Sequence, residues 1–191
     1  MFNKEFDKFN NIDEDLYNCG GLALGLIEWV TPYINCDNCK YKKEDLLITD
    51  WDELCESCEE SRYARLDFIE WCIDEYDLDT SLQIIIESDA KMLMYKYDFL
   101  QRIDATDCDK YDKIIAYRIG IKTFEDSDEI EQDFHFRVKI NDKWYEKCGT
   151  GAIEEIDTSD SDLNKPWYTA DFIYDSPIIY FIDTRATNEI L

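Results

Sequence analysis

At 191 residues the chain is long enough for one domain with a sizeable core, and its 45% hydrophobic and 15% aromatic content excludes a disordered polymer. Its 45 acidic side chains against 20 basic ones give a formal charge of −25 at pH 7, which argues against direct binding to nucleic acid or anionic membranes and leaves basic surfaces as natural partners. The opening MFNKEFDKFN lacks an apolar signal core, and no apolar run approaches the roughly 18 residues that span a bilayer, so a cytoplasmic setting is expected.

The first predicted element begins where YNCGGLALG runs into apolar sequence: a helix from near Cys19, capped by Asn18 or a neighbour and finished by Pro32. Gly20 and Gly21 would leave room for another chain or a substrate to approach. A thiol at a helix start has its thiolate favoured by the helix dipole and by free backbone N–H groups, which makes Cys19 a candidate nucleophile.

A cysteine-rich segment follows. Cys36, Cys39, Cys55 and Cys58 fall in a C-x2-C, fifteen residues, C-x2-C pattern, the spacing of a four-cysteine zinc site. Four thiolates close the coordination shell, so the Zn2+ expected here is structural, stapling an insertion at about residues 34–60. The same region is densely acidic. From Glu44 to Asp79 there are fourteen Asp or Glu and only Arg62 and Arg65, a net of −12, and Glu53, Glu56, Glu59 and Glu60 are candidate partner-binding residues.

Next, RYARLDFIEWCIDEY spaces Leu66, Ile69, Ile73 and Tyr76 as the stripe of an amphipathic helix. Leu82 to Ile86, LQIII, reads as a short strand, and a helix is predicted around Ala90 to Ile103. The second half reads as antiparallel sheet: KIIAYRIG, FHFRVKI, KWYEKC and PIIYFID are strand-like, with Asn141-Asp142 turning the second into the third. Two further acidic runs, EDSDEIE and EEIDTSDSD, hold no Lys or Arg. The five tryptophans, Trp29, Trp51, Trp71, Trp144 and Trp167, are expected in or near the core. Helices first and sheet afterwards give an α+β domain spanning 1–191.

A nucleophilic cysteine needs a base, and His135 is the one histidine of the chain. YNCGGLALG together with DFHFRVKINDKWYEKCG resembles small papain-like proteins of the NlpC type found in Firmicute phages and integrative elements. The resemblance covers the start and most of the second half, but not Cys36 to Cys58. It implies N-terminal helices packed on a C-terminal antiparallel sheet, with Cys19 as nucleophile, His135 as base and Glu146 as the group orienting the imidazole. Histidine often stands in that group where this chain has Glu146. Similar proteins include anti-CRISPR proteins, which implies an inhibitor of a basic, nucleic-acid-binding nuclease in a bacterial host. Two functions are therefore expected: an acidic anti-defence protein, or a cysteine peptidase or amidase.

Overall fold

The computed structural model describes residues 4–10, 12–32, 56–124, 130–157 and 163–187. Asn18 starts α1 (Cys19–Leu24), its side chain accepting from the Gly21 amide at 3.0 Å. Asn18 also accepts from Val30 N and donates to Val30 O, so the chain after α1 is pinned back across its first turn. The two glycines are what permit this. A Cβ on Gly20 would lie 2.7 Å from the Val30 side chain, and one on Gly21 would lie 2.3 Å from the Glu28 carbonyl oxygen. The room expected for an incoming chain is thus filled by this chain's own 26–30 segment.

Helix α2 (Glu56–Glu75) buries Arg65, Ile69 and Cys72, with Leu66 and Ile73 at the margin. Tyr76, expected in that stripe, falls just past the helix end and is exposed. Asp77 then caps α3 (Leu78–Lys96), accepting from the Thr80 amide at 2.9 Å. The segment LQIII, expected as a strand, is the middle of this helix. Leu82, Ile85, Ile86, Ala90 and Leu93 recur at helical spacing, and all are buried. Each such aliphatic burial is worth about 1.5–3 kcal/mol, which outweighs the few tenths by which β-branching disfavours a helix. The helix expected to reach Ile103 stops at Lys96, and Leu100–Ile103 form strand β1 instead.

The remaining strands are β2 (Lys113–Thr123), β3 (Ile130–Ile140), β4 (Lys143–Lys147), β5 (Ile153–Ile156), the short pair β6 (Trp167–Tyr168) and β7 (Ile173–Tyr174), and β8 (Ile179–Asp183). Five of them join β1 in one six-stranded antiparallel sheet in the order β1-β8-β2-β3-β4-β5. The α+β class is as expected, and so is the turn at Asn141 and Asp142, both with positive φ as a tight hairpin turn requires. β5 overlaps the start of a run read only as acidic, and β6–β7 had no strand-like signal.

Alternation along β2 and β3 separates two cores. Ile115, Tyr117, Ile119, Phe134, Phe136 and Val138 join the helices in the larger one. Ile114, Ala116, Trp144, Trp167 and Tyr174 form the smaller one on the other face, under the β6–β7 hairpin. After β8, a short helix α4 (Thr184–Thr187) brings Arg185 to donate to the Leu24 carbonyl at 2.7 Å, fixing the end of α1. Among the described residues, no helix is long and apolar enough to cross a membrane.

Candidate active site

The site forms where the sheet opens. β4 pairs with β3 only from Ile140 back to Arg137, so residues 132–136 of β3 have no β4 partner. Helix α1 packs on β3 at this point, with Cys19 in the larger core. Between Phe134 and Phe136, both turned toward the helices, His135 faces the other way. Its ring stacks on Tyr174 (centroids 5.2 Å apart) and meets Trp167 edge-on (6.1 Å). Cys19 and His135, arriving from opposite sides of β3, border one cavity of about 490 Å³, shared with Gln132, Cys148, Phe172 and Tyr174.

Glu146 stands behind the imidazole. Its Oε2 lies 3.1 Å from His135 Nε2 and accepts from Arg137 Nε at 2.8 Å. Burial raises the Glu146 pKa, but the His135 hydrogen bond and the Arg137 charge outweigh this and hold it below the usual carboxylate value. An ionised carboxylate can only accept, so Nε2 is the ring nitrogen that donates to Glu146. The Glu146 ring of contacts ends at Oε2, with no hydrogen bond to Oε1 among the described residues.

Cys19 differs from its expected state. Its side chain is buried and its thiol is pushed up to about 12. Loss of water is the largest cause, and hydrogen bonds from the backbone of Phe136 and Gly20 do not reverse it, while Asp133 and Cys148 add to it. A helix of one and a half turns offers a weak dipole, so desolvation wins. At neutral pH this thiol is protonated.

Other residues were not read from the sequence. Asp133 accepts from the Tyr174 hydroxyl at 2.6 Å on the cavity wall. Gln132 accepts from Arg65 Nε through Oε1 at 3.2 Å, and its Nε2 is buried with no hydrogen-bond partner among the described residues. Arg137 also lies 4.4 Å over the Trp167 ring. Cys148, exposed at the end of β4, completes a group with His135 and Glu146 in which one donor atom from each lies within 4.8 Å of the others. Period-two spacing could have found two of these: Arg137 is two residues after His135, and Cys148 two after Glu146.

The zinc set Cys36, Cys39, Cys55 and Cys58 lies outside the described residues, except that the backbone of Cys58 belongs to α2. Glu53 and the side chains of Glu56 and Glu59 also lie outside them, and Glu60 is exposed on α2. Trp144 and Trp167 are buried as expected and Trp29 is half-buried, donating to the Asp15 carbonyl, but Trp71 is half exposed; Trp51 lies outside the described residues. Comparison with protein-family models, curated proteins and solved structures finds no match to this chain.

Proposed function

We propose that this protein is a papain-like cysteine hydrolase that transfers acyl groups from amide or ester substrates through Cys19. The observation that carries the reading is that Cys19 and His135 border one cavity while Glu146 lies 3.1 Å from Nε2 of the imidazole. In a neutral imidazole the Glu146 hydrogen bond places the proton on Nε2, and Nδ1 is then the nitrogen that takes the thiol proton as Cys19 attacks. Because the resting thiol is neutral, proton transfer accompanies attack and no ion pair is formed beforehand. The His135 imidazolium then returns the proton to the leaving group.

The test uses an activated ester. Reduced protein treated with p-nitrophenyl acetate in a Cys148→Ser background should gain one acetyl group, mapped by mass spectrometry to Cys19 and absent from Cys19→Ala. An acetyl group that never appears on Cys19 overturns the reading.

A second reading rests on the outer face of α2. Glu60, Asp67, Glu70 and Asp74 are exposed there at helical spacing, while Arg65 is turned inward. We infer from this face that an acidic cytoplasmic inhibitor could act in a bacterial host by competing with nucleic acid for a basic, nucleic-acid-binding protein such as a CRISPR nuclease. Reversing those four charges should slow association with such a nuclease at low salt and leave Cys19 acylation intact. Equal inhibition by the reversed variant removes this reading.

A further inference from the structure

The hydrolase mechanism leaves Cys148 unused, although it sits on the same group of side chains. Residues 146 and 148 are two apart at the end of β4, and His135 reaches the pair from β3. A ring nitrogen, a carboxylate oxygen and a sulfur from these three residues lie within 4.8 Å of one another. A tetrahedral ion with bonds of about 2.0–2.3 Å needs donors roughly 3.3–3.8 Å apart, so a contraction of about 1 Å closes the set. Cys148 is exposed and follows the last residue of β4, which gives it freedom to make that movement.

We propose that His135, Glu146 and Cys148 form a three-ligand site for a thiophilic divalent cation of the Zn2+ class, with a fourth position open to the cavity. Mixed nitrogen, oxygen and sulfur donors select such an ion over Ca2+ or Mg2+, which prefer oxygen alone. Glu146 Oε2 is taken by Arg137 and His135, and Oε1 has no hydrogen bond among the described residues. Arg137 opposes a cation, but Asp133 on the cavity wall and Glu154, whose charge reaches Cys148, offset it. Binding replaces the Cys148 thiol proton, so one proton is released as the sulfur–metal bond forms. This site does not depend on the hydrolase reading, though an ion held by the imidazole would compete with its use as a base.

Titration of reduced protein with Co2+ tests it. The expected result is a thiolate-to-cobalt charge-transfer band with one equivalent lost in Cys148→Ala and in His135→Ala, and kept in Cys19→Ala. A competing chromophoric chelator should show Zn2+ bound at that equivalent at least about tenfold more weakly in Cys148→Ala. Circular dichroism confirms the fold of each variant. Cys148 is exposed, so its removal leaves packing intact and that variant decides the matter. The proposal is overturned if Cys148→Ala, or folded His135→Ala, binds as many equivalents as wild type.

Discussion

Arg65 of α2 and Asp89 of α3 form an ion pair at 2.6 Å, with side chains only 8% and 2% exposed. Tyr117 of β2 donates to the same carboxylate at 2.7 Å, and Arg65 Nε donates to Gln132 of β3. One buried polar cluster therefore ties both long helices to the sheet and to the cavity wall. Removing Asp89 takes a carboxylate at 2.6 Å away from a buried guanidinium, so Asp89→Ala should cost about 3–5 kcal/mol in urea unfolding at pH 7. Replacing both charges with apolar residues of similar volume should cost less. A double variant no better than the single one would contradict this account.

The same pair gives a pH signature. Burial pushes Asp89 up to about 6, above its ordinary 3.8, even though Arg65 and Tyr117 pull it down. The folded state therefore binds a proton in this window that the unfolded state does not. The stability from this group is full below the unfolded value and is lost as pH rises through about 6. Relative to Asp89→Asn, wild type should gain stability as pH falls from 7 to 4. If the difference instead shrinks, pairing with Arg65 outweighs burial.

Gly21→Ala should be poorly tolerated, because the new Cβ would meet backbone carbonyls at 2.3 and 2.9 Å. Backbone cannot yield as a side-chain end can. A cost of about 2 kcal/mol corresponds to a fall in Tm of roughly 4–8 °C for a domain of this size. Scanning calorimetry checks it, and an unchanged Tm would mean that the 26–30 segment does not lie across α1 as described.

Thiol chemistry separates the two cysteines at the cavity. Cys148 is exposed, whereas Cys19 is buried and held protonated. Iodoacetamide at neutral pH should modify Cys148 well before Cys19, read by peptide mapping at timed intervals. Faster labelling of Cys19 would show an ion pair with His135 already formed at rest.

Much of the sheet was legible because its signal is local. FHFRVKI alternates over seven residues, and Asn141-Asp142 can adopt the positive φ that a tight turn demands. LQIII was misread because three β-branched residues say less than the helical recurrence of Leu82, Ile86 and Leu93 around them. The β6–β7 hairpin could not be seen, since its strands are two residues long and Tyr168 and Ile173 are exposed. Trp167 and Tyr174 are its buried anchors. The Arg65–Asp89 pair was equally invisible, because no local pattern marks which charges will meet inside. For Cys19, position was legible and protonation was not, because burial depends on the 26–30 segment and β3 together.

The central claim is that Cys19, His135 and Glu146 act as one unit. The most direct measurement is the rate at which p-nitrophenyl acetate acetylates Cys19 in wild type and in His135→Ala, with the adduct mapped and Cys148 replaced by Ser in both. Loss of the base should slow acetylation by about 100-fold or more at pH 7, since so weakly acidic a thiol needs a base to take its proton. Glu146→Gln should show part of that loss, as an amide no longer holds the imidazole through a full charge. Equal rates in wild type and folded His135→Ala would contradict the account.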